Sequence, residues 1–195
     1  MRKAIKIEAS KILADDLKYI SNNSAHNKKI KEYLLLEQKG YCAYTDEYIS
    51  RTDASDIDHF NPTLKNTDED SYDNWFLIKN QWNKEKGSKW EKHQPVLHPT
   101  SEDFEERISY HQGDYFAKSE KDIEAFNLVS LLKLDDPSLA EKRKKYISRK
   151  RSDMEAYGEG AAVFFANLIN DDNCEVSYLR AIKEEFDVDV WSMLP

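Results

Sequence analysis

In the stretch ASDIDHFNPTLKNTDEDSYDNWFLIKNQWNKEKGSK, Asp58-His59 is followed by Asn74 and then by Asn83-x-x-Lys86-Gly87. A carboxylate beside an imidazole, joined by a polar loop to an amide and a lysine, can hold one hard divalent ion and aim a general base at water. Asp58 offers a hard anionic oxygen suited to Mg²⁺ or Mn²⁺, and the amide oxygen of Asn83 a weaker neutral one. His59, neutral near pH 7, can take a proton from an attacking water. Lys86 and Lys79 can hold phosphate. This is the equipment of a metal-dependent phosphodiesterase. Adjacent strand residues point to opposite faces, so Asp58 and His59 serve one site only if the backbone bends between them.

These groups must be carried by a small scaffold. The pattern predicts N-terminal helices over residues 1–40: Ile5, Ile12, Leu13, Leu17 and Ile20 share one face, Ser21-Asn22-Asn23-Ser24 is a break, and a second helix carries Ile30, Tyr33, Leu34 and Leu35 and stops at Gly40. Tyr41–Tyr44 and Ala54–Phe60 read as two short strands. The next helix is expected to start near Asp73-Asn74, with Trp75, Ile78 and Trp82 packed down and Phe76, Lys79, Asn83 and Lys86 on the other stripe. Asn74 and Asn83 would lie on opposite sides of one regular helix, so Asn74 belongs to the entering loop and ties it to the helix start. Together these define a catalytic core over 41–92. Over 93–195 the pattern gives a strand or turn at Ile108–Phe116, then helices. One of them opens on Asp136-Pro137 and buries Leu139, Tyr146, Ile147, Met154 and Tyr157, its basic residues facing out. The fold class is α+β, mainly helical, in one continuous globular unit.

Composition narrows the partners. The 195 residues carry a net charge of −8, with 34% charged and 39% hydrophobic residues, which argues against bulk electrostatic coating of nucleic acid. The basic residues are clustered: Glu141–Arg151 holds seven against one acidic residue. Lys79, Lys84, Lys144, Lys145 and Arg149 are the candidate nucleic-acid contacts, although such a run is commonly just a solvated helix face. Cys42 and Cys174 do not make a disulfide framework and suit a reducing compartment. No apolar run spans a membrane, and a cytoplasmic location is expected. His93 and His98 read as surface loop histidines.

The order and spacing of Asp58-His59, Asn74 and Asn83-x-x-Lys86-Gly87 resemble the HNH (ββα-metal) endonucleases in the variant with Asn as third motif residue. The resemblance implies a small ββα-metal core and one bound Mg²⁺ or Mn²⁺. Many such nucleases carry a zinc tetrad of two Cys-x-x-Cys pairs. Here the corresponding positions read Cys42-Ala43-Tyr44-Thr45 and Lys79-Asn80-Gln81-Trp82, so no structural zinc is expected, and Trp75 and Trp82 would pack in its stead. Downstream, PVLHPTSEDFEERISYHQGDYF and IEAFNLVSLLKLDDPSLAEKRKKYI look like the PtuB-type nuclease subunits of Septu and retron anti-phage systems. That likeness implies an ABC/SMC-like ATPase (PtuA-type) as partner; the expected substrate is nucleic acid, DNA ahead of RNA. The competing class is a module that keeps the shape and binds a partner or nucleic acid without cleavage.

Overall fold

The computed structural model describes residues 1–172 and 176–195, so Cys174 lies outside the described residues. In the N-terminal segment the second expected helix forms, while the first shrinks to a single turn. Only α1 (Lys11–Ala14) and α2 (Ser24–Glu37) are helical, capped by Ser10 Oγ and Asn23 Oδ1 on the amides of Ile12 and His26. The chain turns at Asp16 with φ +45°, so the expected apolar stripe never forms. Ile12 is buried, while Ile5, Leu13 and Ile20 are exposed. Residues before α1 run past the centre of the molecule instead. There Lys6 Nζ donates to the carbonyls of Tyr72 (2.6 Å) and Trp75, 4.2 Å from the ring centres of Tyr72 and Phe76.

The centre is a hairpin followed at once by a helix. Strand β1 (Ser55–His59) pairs antiparallel with β2 (Trp75–Lys79), Asp58 opposite Phe76 and His59 opposite Trp75. Helix α3 (Asn80–Lys86) leaves β2 without a loop. This corrects two expectations. Tyr41–Tyr44 is no strand, contributing only an isolated bridge between Tyr41 and Tyr48. Trp75–Lys79 is not the first turn of a helix, so Phe76 and Lys79 share no helical stripe with Asn83 and Lys86. Strand β2 is buried along almost its whole length. A strand covered on both faces shows no alternation, and Trp75 and Ile78, read together with Trp82 of α3, then mimic helical spacing. Gly87, at φ +44°, stops α3 directly after Lys86 in a conformation that β-carbon residues resist.

The second half is α4 (Phe104–Arg107), the hairpin β3 (Ile108–His111) and β4 (Asp114–Ala117), then α5 (Ile123–Leu131), α6 (Pro137–Tyr157), α7 (Ala161–Asp172), α8 (Leu179–Phe186) and α9 (Val190–Met193). Asp136 caps α6 through the amides of Ser138 and Leu139, with Pro137 in the first turn. Two apolar clusters result. One joins residues 1–134 around Trp75, Phe76 and Leu77; the other gathers α6 to α9 with Tyr41. No helix among the described residues is long and apolar enough to cross a membrane.

The expected outward face of α6 needs one correction at each end of the scale. Tyr157 is exposed, and Arg143 is buried. The Arg143 guanidinium donates to the carbonyls of Gly113 and of Leu134 (2.7 Å) and lies 4.6 Å from the centre of the Tyr115 ring. Gly113 makes this approach possible, because a β-carbon there would meet the Ala140 carbonyl at 2.4 Å. Arg143→Ala strands two carbonyls and opens a void, and is expected to lower unfolding free energy by about 3 kcal/mol in urea titration. Lys144→Ala, one residue on and exposed, should stay within about 0.5 kcal/mol. Equal costs would contradict this division of the helix.

Candidate active site on the hairpin and its helix

Strand β1 continues its regular pairing through His59, without the bend that would bring both side chains of the Asp58-His59 pair to one face. Asp56 and Asp58 therefore face α3, and His59 faces the opposite side. Asp58 is buried. Its Oδ2 accepts from Lys86 Nζ at 2.6 Å and from the Tyr44 hydroxyl. The same ammonium donates to the carbonyls of His59 (2.5 Å) and Phe60 (3.0 Å). Its three donors thus meet three oxygens. Burial pulls the Lys86 ammonium below the usual lysine range, against the attraction of Asp58. Burial, with the Asp58 charge beside it, holds the Tyr44 phenol far above its ordinary value, so it stays a donor.

Asn83 turns to the other carboxylate of that face. Asp56 Oδ2 accepts from Asn83 Nδ2 at 3.2 Å and from Asn80 Nδ2 at 2.5 Å. Asp58 and Asn83, expected as joint metal ligands, thus have different partners here. The donor set of Asp56, Asp58, Asn80 and Asn83 is all oxygen in its coordinating atoms, which suits a hard cation. Yet Asp58 Oδ2 is taken by the chain's own ammonium and by the Tyr44 hydroxyl, and the positive charge of Lys86 beside it opposes a divalent ion there. Among the described residues no three His, Cys, Asp or Glu side chains converge on one ion position.

On the other face, His59 is 5% exposed. The Tyr19 ring packs edge-on against it with centroids 4.4 Å apart, and Trp75 lies at 6.4 Å. Asp70 Oδ2 is 3.0 Å from His59 Nε2, off the axis of a straight hydrogen bond. Asp70 Oδ1 accepts from Trp75 Nε1 at 2.7 Å and from Asn74 Nδ2 at 3.1 Å. Asn74 sits in a buried 3₁₀ turn (Tyr72–Asn74) and grips the Asn61 backbone twice, accepting from its amide (2.7 Å) and donating to its carbonyl (3.0 Å). It closes the 61–74 loop.

The remaining candidates scatter. Lys79 Nζ pairs with Asp53 at 3.0 Å, Lys145 with Glu141 at 3.3 Å, and Lys84, Lys144 and Arg149 are exposed. Lys86, expected to touch phosphate, is instead buried on Asp58. His98 corrects the surface reading: it is half-buried, its ring 4.9 Å from that of Phe60, with Nδ1 2.7 Å from Thr100 Oγ1. Sequence reasoning missed Tyr19, Tyr44, Asp56, Asn80 and Asp70. Of these only Asp56 had a signal, two residues before Asp58 and so on its face; the others arrive through tertiary contact.

Residues 42–90, about a quarter of the chain, match the family model described as HNH endonuclease. The matched segment carries β1, the loop, β2 and α3. No curated protein and no solved structure matches the chain.

Two outcomes follow from the burial of these groups. Burial pushes the His59 and His98 imidazoles below their usual value, although Asp70 draws His59 back up. Both are neutral in the fold, so the unfolded chain takes up protons first as pH falls. Stability from this source is complete above 6.5, declines as pH drops from there to the folded-state values, and then levels. Urea midpoints across that window should show the decline, and His98→Phe should reduce it; identical profiles for the two proteins would contradict the assignment. Secondly, Tyr19→Ala should bare His59, so that diethyl pyrocarbonate modifies it at least several-fold faster than in the parent protein, read by mass spectrometry. An unchanged rate would mean that Tyr19 does not shield the ring.

Proposed function

We propose that this protein is an HNH endonuclease that hydrolyses phosphodiester bonds in nucleic acid, DNA in preference to RNA, with Mg²⁺ or Mn²⁺ as activating ion. The observation that carries the reading is the coincidence of the family match with a hairpin-and-helix unit holding Asp58, His59, Asn74, Asn83 and Lys86. In this reaction His59 accepts a proton from water as the water oxygen bonds to phosphorus. The bond from phosphorus to the leaving oxygen breaks, and that oxygen departs with the electron pair and is protonated by solvent. Asn74 keeps the loop behind His59 closed, and Lys79, Lys84, Lys144, Lys145 and Arg149 are the candidate contacts along the phosphate backbone. Metal dependence rests on the family match; with Lys86 on Asp58, no step is routed through the ion.

The PtuB-type assignment, a defence role and an ABC/SMC-like ATPase partner belong to the same proposal, supported by the downstream sequence pattern alone. The second reading, a ββα module that binds without cleaving, is favoured by one observation: Asp58 is held by Lys86 and Tyr44 while Tyr19 covers His59. Cleavage of supercoiled plasmid separates the two. Nicking that needs Mg²⁺ or Mn²⁺, stops with EDTA, and falls about 10²–10⁴-fold in His59→Gln supports the enzyme. Gel-shift binding with no cleavage under any divalent ion supports the module.

A further inference from the structure

The structure assigns Asp70 as the positioning residue that fixes which nitrogen of His59 can take a proton, an inference that rests on the nuclease reading for its functional meaning. His59 Nε2 is buried and has no hydrogen-bonding partner of good geometry, while Asp70 Oδ2 stands 3.0 Å away. Oδ2 lies off the axis of the ring nitrogen, and at that separation the carboxylate charge attracts the positive end of an N–H at Nε2 and repels a bare lone pair there. A neutral ring carries one ring proton. Placing it on Nε2 leaves the lone pair on Nδ1, and Nδ1 is then the atom that accepts a proton from water.

The carboxylate is itself held. Trp75 Nε1 and Asn74 Nδ2 both donate to Oδ1, which fixes the carboxyl plane and turns Oδ2 toward the ring. Trp75 is also the Cα partner of His59 across the hairpin, so strand register and side-chain network agree on the same geometry. The Tyr19 ring, edge-on at 4.4 Å, limits rotation from the other side. Asp70 thereby links the motif histidine to the Asn74 turn: Asn74 closes the loop, and the closed loop delivers Asp70. This also gives Asn74 a route to His59 that requires no contact between the two.

The test is the ring tautomer, read in the full chain labelled with ¹⁵N-histidine. His59 signals are assigned from the spectrum of His59→Gln. The expected result is His59 predominantly protonated at Nε2 in the parent protein, moving toward an even mixture in Asp70→Ala. Asp70→Asn, which keeps an acceptor for Trp75 Nε1, should lower the turnover number of cleavage by about 10-fold or more, up to ~10⁴-fold, with KM nearly unchanged. If Asp70→Ala does not fold, the parent spectrum decides alone. A parent His59 protonated at Nδ1, or a folded Asp70→Ala with the parent tautomer, overturns the assignment. The parent tautomer together with absent cleavage would leave Asp70 in its positioning place and overturn the nuclease reading instead. Cleavage with an unmoved tautomer would do the reverse.

Discussion

Everything around the motif depends on one buried ammonium. Lys86 closes α3 onto β1 through Asp58 and through the carbonyls of His59 and Phe60. The pair is not a large source of stability. Burial lowers the affinity of Lys86 for its proton more than Asp58 restores it, the usual balance when two charges leave water together. What the contact provides is uniqueness. Removing either partner leaves an uncompensated buried charge, worth about 3–5 kcal/mol, whereas any other register of α3 would leave Asp58 with Tyr44 alone. The helix is short, and Gly87 ends it directly after the lysine. A short helix with little propensity of its own needs such a pin to hold Asn80 and Asn83 over Asp56.

Strand alternation then divides the chemistry into two faces. Asp56, Asp58, Asn80, Asn83 and Lys86 occupy the face under α3, and His59, Asp70, Tyr19 and Trp75 the other. The two faces meet at His59, whose carbonyl is bound by Lys86 while its ring lies beside Asp70. A change in the position of Lys86 therefore reaches the imidazole through a single residue. That coupling is mechanical and local, and it follows from the pairing of β1 with β2.

The sequence carried the chemistry-bearing residues better than their scaffold. Asp58, His59, Asn74, Asn83 and Lys86 are all drawn into or beside one hairpin-and-helix unit, and strand β1 and the Asp136-Pro137 start of α6 were legible from turn, capping and pattern rules. Strand β2 was not, because Trp75–Lys79 is buried on both faces and its pattern has no period to read. The N-terminal stripe misled for the opposite reason: Ile5, Ile12, Leu13 and Ile20 have helical spacing, but the turn at Asp16 separates them, and two of the four sit within or beside a single helical turn. Arg143 shows the limit of charge patterning, since one arginine in a basic run can be a core residue when a glycine opposite leaves room.

The acidic loop between β1 and β2 illustrates why the deciding residue could not be read in advance. Asp68, Glu69, Asp70 and Asp73 are interchangeable in a pattern of charges. Only Asp70 lies where Trp75 and Asn74 can hold one oxygen and leave the other facing His59. Selection among like residues is a matter of loop closure, and closure here is made by the two hydrogen bonds of Asn74 to the Asn61 backbone. The amide that resembles a motif residue in sequence thus acts in the structure on the chain path, and the path chooses the carboxylate.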